Sequence, residues 1–357
     1  MTKPWRDGPY RVVQWGTGNV GRRALAALLD LPQLTLVGLH VVTPEKVGKD
    51  AGELIGRPPI GVVAADDAQR ILDIRPDCVS YMPTEIDYEL VCRWLRAGIN
   101  VVTTGDFLTG ACRPHEHRLL DDAARSGGAT FLGTGFEPGF VNLAAGFLTG
   151  ACRRVRSVRI AETLDCTTYP VAAAWEAMGF GKPPEGGPVT LTPETTPFAK
   201  AYFETLDLVA GMLGVTLDHR ELVIEQACAT KDLDLGWAHY AQGTVAGQRR
   251  VYRGYTGGRP VVELSLCWTM SDHALEPQWT DPEGFRIEIE GEPRVEADVR
   301  YTVPHTDGLT DESDVMSLLM VSTAMSALHA IPAVCAAEPG VVLASDLPVL
   351  AARNSLC

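Results

Sequence analysis

Cysteine is present but in no useful order. The nine cysteines are scattered, with no C-x-x-C pair and no Cys/His ligand spacing. That argues against a zinc site and against a disulfide framework, and it fits a reducing cytoplasm. Positive charge is also short. Lys plus Arg number 31 against 45 Asp plus Glu, a net charge of −14, so a nucleic-acid phosphate backbone is not an expected partner. The basic run RRVR at 153–156 alternates into a strand pattern and reads as a solvated edge. No Ser-His-Asp pattern and no Tyr-x-x-x-Lys dehydrogenase motif is found. Residues 1–7 are polar and carry no apolar signal segment, so the expected location is cytoplasmic. Residues 315–337 contain no charge and are long enough to span a bilayer. They also contain Ser317, Ser322, Thr323, Ser326, His329 and Pro332, and no basic cluster flanks them. A buried helix followed by a turn is the reading, with no membrane partner.

What remains is the composition of a soluble globular protein, 46% hydrophobic and 21% charged over 357 residues, long enough for two domains with separate cores. The stretch that organises it is GTGNVG at 16–21, preceded by the β-type run YRVV at 10–13 and followed by the helical run RRALAALL at 22–29. Strand, G-x-G-x-x-G and helix form the dinucleotide-binding fingerprint. Gly16 allows the tight turn, Gly18 lets a pyrophosphate approach the backbone, and Gly21 lets helix and strand pack closely. Thr17, Asn19 and Val20 complete the loop, and the phosphates sit at the helix N-terminus.

Strand and helix patterns then alternate. Residues 34–42 read as the second strand, 64–72 as a helix with Asp66 or Asp67 as its cap, 77–81 as a strand and 88–97 as a helix. Residues 99–103 read as a strand, 114–126 as a helix and 129–132 as a strand. The fold class is α/β, an N-terminal Rossmann doubly wound parallel sheet over residues 1–150. From 155 the pattern changes. Strand patterns at 155–162, 222–229, 242–255, 260–270, 285–290 and 294–303 indicate an α+β antiparallel-sheet domain over 151–312, with a helix at 198–213. Residues 167–197, rich in Pro, Gly and Thr around a short helix at 172–178, form a candidate lid. A helix over 313–330 opens a C-terminal segment, 313–357, that returns to the first domain.

Three segments resemble the dihydrodipicolinate reductase-like group that includes the 2,4-diaminopentanoate dehydrogenases and the native amine dehydrogenases: VVQWGTGNVG at 12–21, PEKVGKDAGEL at 44–54 and GTGFEPGF at 133–140. The tail, with HAIPAVC at 329–335, EPG at 338–340 and DLP at 346–348, is similar to that group's C-terminal pattern. The resemblance implies a cleft between a Rossmann domain and a substrate and dimerisation domain. It also implies NAD(P)-linked amine oxidation or imine reduction, and a homodimer through the outer face of the second sheet. The paired-histidine segment of true dihydrodipicolinate reductases is missing; His115 and His117 begin a helix after Pro114 instead.

The second strand ends without the acid that usually holds an NAD ribose. His40, Thr43 and Lys46 stand there, so NADP is the expected cofactor with NAD as the alternative; Lys46 could equally be a solvated loop charge. Thr103 and Thr104 lie at another cofactor-facing strand end. Hydride chemistry belongs to the cofactor, and the protein must orient substrate and manage protons. Two carboxylates follow strand ends, Asp106 in TTGDF and Glu137 in GTGFEPGF. By the resemblance, the amine dehydrogenases use a glutamate where this chain has Asp106, and the family has Asn where this chain has Glu137. Asp106 also suits a turn after Gly105, and Glu137 a helix N-terminus. Phe140, with Tyr169, Trp175, Met178 and Phe180 of the lid, could wall an apolar substrate pocket, or the lid residues could form a local core. The leading expectation is a dehydrogenase acting on a C–N bond of a small, mostly apolar molecule. A reductase of C=O or C=C bonds and a non-catalytic cofactor-binding sensor are the alternatives. No metal is expected.

Overall fold

Apolar runs flanked by helical segments produce parallel strands in the computed structural model, which describes residues 8–196, 200–271, 273–303 and 315–353. Several expectations lie outside the described residues: the polar segment 1–7, Pro197 at the end of the lid, the Phe198 start of a helix, and the Ser313 start of the last helix. The chain divides into two compact units, Met1–Leu143 with Met320–Cys357, and Ala144–Leu319.

In the first unit β1 (Tyr10–Trp15) leads through the glycine-rich loop to α1 (Asn19–Asp30), then β2 (Leu34–His40). An excursion over residues 44–63 follows. Asp50 folds it back by accepting the N–H groups of Gly52, Ile60 and Gly61 at 2.8, 2.9 and 2.8 Å. Then come β3 (Ala64–Ala65), α2 (Gln69–Ile74), β4 (Cys78–Tyr81), α3 (Tyr88–Arg96), β5 (Asn100–Thr103), α4 (Pro114–Gly127) and β6 (Thr130–Gly133), and α5 (Val141–Leu148) carries the chain from this unit into the second. Asp87 caps α3 by accepting from Leu90 N at 2.9 Å. The helix expected from residue 64 starts later. Ala64 and Ala65 pair with Leu39 and His40 as an edge strand, so sheet pairing outweighs alanine's helix propensity. Asp67 still marks the helix start, its carboxylate accepting from Gln69 N at 2.8 Å.

In the second unit the elements are β7 (Arg154–Asp165), α6 (Ala172–Ala177), β8 (Val189–Leu191), α7 (Ala201–Met212), β9 (His219–Ala229), β10 (Leu233–Asp234), β11 (His239–Tyr240), β12 (Val245–Thr256), β13 (Arg259–Thr269), β14 (Leu275–Glu276), β15 (Gly284–Glu292) and β16 (Val295–Val299). The main sheet runs β14-β9-β12-β13-β7-β15-β16, with β8 on β9. The strands joined by tight turns are antiparallel as expected. The β12–β13 turn uses Gly257 and Gly258, both at positive φ (57° and 73°), which matches the twist of a hairpin. The sheet is nonetheless mixed, because β7 lies parallel to β13. No short turn joins those two strands, so nothing forces them antiparallel.

The long apolar helix is α8 (Val315–Ala336), with mean hydropathy 1.7 over its most apolar window. By length and composition it could cross a membrane. In the structure Ala324, Ala327, Leu328, Ala330, Ile331 and Val334 are core residues of the first unit. The expected turn at Pro332 is absent, and the helix runs through it. Ile331 and Val334 are fully buried around it, and that packing outweighs a lost hydrogen bond. After α8, β17 (Gly340–Val341) pairs parallel with β6. The seven-stranded sheet then reads β17-β6-β5-β4-β1-β2-β3, all parallel. Successive β1 residues point to opposite faces. Val12 joins a core with Leu25, Leu36 and Leu328, and Val13 one with Trp94, Leu95 and Phe131.

Candidate active site

The strand order reverses between β1 and β4, and ligands of such sheets gather beyond the C-terminal ends of the strands at that point. The glycine-rich loop lies there, and the reasons for its glycines are visible. Gly16 has φ +89°, and a Cβ on it would sit 2.8 Å from the Met82 carbonyl oxygen. On Gly21 a Cβ would come to 2.3 Å from the Gly16 carbonyl oxygen. On Gly18 it would meet nothing within 4 Å. Internal packing therefore requires glycine at 16 and 21, whereas at 18 the backbone is bare toward open space, as a dinucleotide pyrophosphate needs. Gly18 caps α1 with no side-chain hydrogen bond, so the helix's first N–H groups face that space with the positive end of its dipole. These residues fit a dinucleotide cofactor.

Gln14 braces the loop from beneath. Fully buried, it donates through Nε2 to the carbonyls of Trp15 and Gly16, both at 3.1 Å. The sequence signal was a polar residue inside an apolar strand, and it went unread. Lys46 reaches across from the turn after β2, its Nζ donating to the Thr17 carbonyl at 3.1 Å and hydroxyl at 3.0 Å. It is thus part of the loop rather than a solvated charge. Thr43 is exposed and its carbonyl accepts from Lys46 N at 3.0 Å. His40 is buried, 6% exposed. Its Nε2 lies 3.2 Å from the Asp66 carbonyl, and burial lowers its pKa, so it carries no charge at neutral pH.

Thr103 is buried and its hydroxyl accepts from Gly105 N at 3.0 Å, closing the turn that carries Asp106. Thr104 N donates to the Tyr81 carbonyl at 3.4 Å. Asp106 forms an ion pair with Arg113, a partner the sequence did not single out. The neighbouring loop, after β6, is tied to this one by Thr134 N donating to the Thr103 carbonyl at 2.9 Å. It carries Glu137. This acid is not in the first turn of a helix: its φ/ψ of −135°/108° is extended, and α5 begins at Val141. Asn142, fully buried, fixes both ends of the bend. Its Oδ1 accepts from Gly139 N at 2.7 Å and its Nδ2 donates to Glu137 Oε2 at 3.0 Å. Gly139 has φ +139°, a conformation side chains rarely adopt. Asp106 and Glu137 thus occupy adjacent loops at one end of the sheet. Phe140, 44% exposed, stacks on the buried Phe136 at 6.0 Å.

The lid aromatics belong to the second unit. Trp175 and Phe180 are buried, 5% and 2% exposed, with ring centroids 5.1 Å apart. Trp175 also meets Tyr169 at 6.1 Å and Trp268 at 5.8 Å. Met178 offers its carbonyl to Gln248 Nε2 at 2.7 Å. Trp175 and Phe180 therefore form a local core, on which Tyr169 and Met178 lie half-buried. Among the described residues no group of three or more His, Cys, Asp or Glu could hold a metal ion.

Residues 142–356 match the family model of the 2,4-diaminopentanoate dehydrogenase C-terminal domain. The chain is 30% identical over 365 residues to an amine dehydrogenase of Streptomyces virginiae, a match covering 96% of this chain and 98% of that one. Its fold is similar to that of the amine dehydrogenase from Mycobacterium smegmatis, with TM-score 0.72, 23% identity and coverage of 96% and 97% of the two chains. It is also similar to GenD2 from gentamicin A biosynthesis, solved in complex with NAD, with TM-score 0.52, 17% identity and coverage of 91% and 87%.

Proposed function

The chain belongs to the 2,4-diaminopentanoate dehydrogenase family and is an NAD(P)-dependent dehydrogenase; we propose that its reaction is oxidation of the C–N bond of a small, mostly apolar amine, or reduction of the corresponding imine. The observation that carries this reading is the pair of carboxylates on adjacent strand-end loops, each oriented by a partner: Asp106 by Arg113 and Glu137 by Asn142. An ammonium substrate must lose a proton before its α-hydrogen can leave as hydride, so a positioned base is required. Glu137 takes that proton. Its oriented partner, the Asn142 amide, is neutral, whereas Asp106 faces a guanidinium. Asp106 then holds and orients the substrate nitrogen.

The nicotinamide, when bound, supplies hydride acceptance or donation. Gly16, Gly18 and Gly21, with Thr17, Asn19 and Val20, would hold its pyrophosphate. The proposed cofactor is NADP, supported by the lack of an acid at the end of β2 and by Lys46 standing over Thr17 with Thr43 beside it. His40 contributes as an uncharged ring beneath this region. A homodimer is proposed through the solvent face of the second-unit sheet. Arg286 there meets Glu288, Glu296 and Asp298, an interleaving of both signs that suits pairing with a copy of itself.

The test follows reduced-nicotinamide absorbance with primary amines and alcohols for wild type, Glu137→Gln and Asp106→Asn, with cofactor binding measured separately. The reading expects turnover of amines, a loss of at least a hundredfold for Glu137→Gln, a smaller loss for Asp106→Asn, and unchanged cofactor affinity. Turnover of alcohols alone would overturn it.

A further inference from the structure

Two thiols from distant parts of the chain meet in the core of the first unit. Cys78 opens β4 and is fully buried; Cys335 is the next-to-last residue of α8 and is half-buried. Neither is in a disulfide. The Cys335 sulfur sits over the start of the β4–β5 pair. It donates to the Asp77 carbonyl at 3.7 Å and accepts from Asn100 Nδ2 at 3.6 Å. Asp77 precedes Cys78 in the chain, and Asn100 is the partner of Cys78 in register across the sheet. Asn100 is itself fixed, because its Nδ2 also donates to the Asp77 carbonyl at 2.7 Å and its Oδ1 accepts from Thr130 N at 2.9 Å. Cys78 and Cys335 pack in one apolar cluster with the core residues of α8. Their thiols lie within hydrogen-bond reach of each other.

Their places in the chain give the pair its weight. The chain leaves the first unit after Leu143 and returns to it at Met320, so the two cysteines flank the whole second unit. Joining positions so far apart removes much of the freedom of the unfolded chain, and the stabilisation grows with the length of chain enclosed. Both residues stand at the ends of their elements, where a backbone adjusts more readily than in the middle of a helix or strand. The two thiols are not equivalent. Burial, and then the contact with Cys335, raises the Cys78 thiol well above its usual range. Cys78 therefore stays protonated and closed to an oxidant in solvent. Cys335 is the member of the pair that solvent reaches.

We propose that Cys78 and Cys335 are an oxidation site which peroxide converts to a disulfide, fastening α8 to β4 and stabilising the first unit without reaching the cofactor loop. The Cys335 thiolate attacks one oxygen of hydrogen peroxide. The O–O bond breaks, the sulfur becomes a sulfenic acid, and the other oxygen takes up the thiol's proton and leaves as water. The Cys78 sulfur then attacks the sulfenic sulfur. The S–S bond forms as the S–O bond breaks, and the Cys78 proton goes to the departing hydroxide. Two thiols and one peroxide yield one disulfide and two waters, the sulfurs losing the two electrons that the peroxide gains. A small dithiol reverses the step by exchange. The cofactor loop is spared by distance along the strands. Cys78 stands beside Val12 at one end of the β1–β4 pair, whereas the loop follows Trp15 at the other.

The full-length protein, reduced and then freed of reductant, is treated with hydrogen peroxide at neutral pH. It is alkylated, digested without reduction and read by mass spectrometry. The expected main cross-link is a Cys78–Cys335 peptide that dithiothreitol abolishes. The oxidised protein should melt roughly 5 °C higher than the reduced one and survive thermolysin at least tenfold longer, with NADP⁺ affinity unchanged. Cys335→Ser should form no such cross-link and gain no stability from peroxide. In Cys78→Ala the Cys335 sulfenic acid has no thiol to meet, so dimedone should label it more heavily than in wild type. Cys78→Ala opens a void in the core; if it does not fold, wild type and Cys335→Ser still decide. Four results overturn the proposal: Cys335 oxidised to a sulfinic acid while Cys78 remains a thiol, another cysteine pair cross-linked as abundantly, the cross-link appearing only when peroxide is added in urea, or Cys335→Ser gaining the same stability. Loss of NADP⁺ affinity in the cross-linked protein would also overturn it, since the cross-link would then reach the cofactor loop.

Discussion

The imidazole of His40 lies flat on the indole of Trp15, ring centroids 3.4 Å apart and planes 3° from parallel. Burial is the larger influence on this histidine and lowers its pKa, outweighing the opposing pull of the Asp66 carbonyl. The unfolded chain therefore binds more protons than the folded one between that lowered value and about 6.5. Stability is fully present above that range and falls as pH drops through it. His40→Phe keeps a stacking ring and removes the titration. Melting temperatures at pH 7.5 and 5.5 should differ less for the variant than for wild type. A residual slope stays in both from His329, whose pKa burial also lowers. Identical slopes would show that His40 does not titrate as described.

The glycines of the loop separate folding from binding. Gly21→Ala places a methyl 2.3 Å from a carbonyl oxygen of the loop itself, and such overpacking costs about 1–3 kcal/mol. Gly18→Ala meets nothing. Calorimetry should find Gly21→Ala destabilised and Gly18→Ala melting like wild type, while Gly18→Ala alone combines native stability with cofactor affinity reduced at least tenfold.

Lys46→Ala removes the ammonium over Thr17. If that charge serves a 2′-phosphate, NADP⁺ affinity should fall about tenfold and NAD⁺ affinity less than threefold, measured by fluorescence titration. Equal losses would mean that Lys46 only braces the loop.

Asn142→Asp replaces a neutral partner of Glu137 with a like charge. A carboxylate beside Glu137 disfavours its ionised form and raises its pKa, so a larger share of the base is protonated at neutral pH than in wild type. The rate at pH 7 should drop by about an order of magnitude and recover at higher pH, shifting the acid limb of the kcat profile upward. A drop with no shift of the limb would remove Glu137 from the role of base.

Glu162 is pushed up to about 7 by complete burial, partly offset by the Trp268 hydrogen bond. Here the folded state binds more protons than the unfolded one from about pH 4.5 to 7. Stability therefore falls as pH rises through that window and does not recover above it. At about 1.4 kcal/mol per unit, the rise from 4.5 to about 7 is on the order of 3 kcal/mol. Glu162→Gln keeps an acceptor for Trp268 and removes the charge. It should melt higher than wild type at pH 8 and close to wild type at pH 4.5.

Much of the first unit was readable in the chain because its signals are local. The glycine spacing, the apolar run of β2 and the Pro114 helix start each declare themselves within a few residues. What was hidden depends on contacts distant in sequence. Ala64 and Ala65 become a strand only because β2 offers an edge, and β7 lies parallel to β13 only through the topology of the whole sheet. The candidate site divides the same way. Asp106 and Glu137 stood out by their positions after strands, but Arg113 and Asn142, which orient them, carried no signal apart from the bends they stabilise. Trp175 and Phe180 looked the same from sequence as pocket wall or core, since an aromatic side chain serves both.

The position of α8 and β17 bears on how the chain is made. The residues of α8 that pack with Val12 and Leu25, and the strand that covers the edge of β6, are translated after the second unit. The nucleotide-binding half therefore starts its core before the second unit is translated and completes it only afterwards. A nascent chain halted before Gly340 still lacks the strand that shields β6, so premature termination exposes an unpaired apolar edge rather than yielding a smaller finished domain.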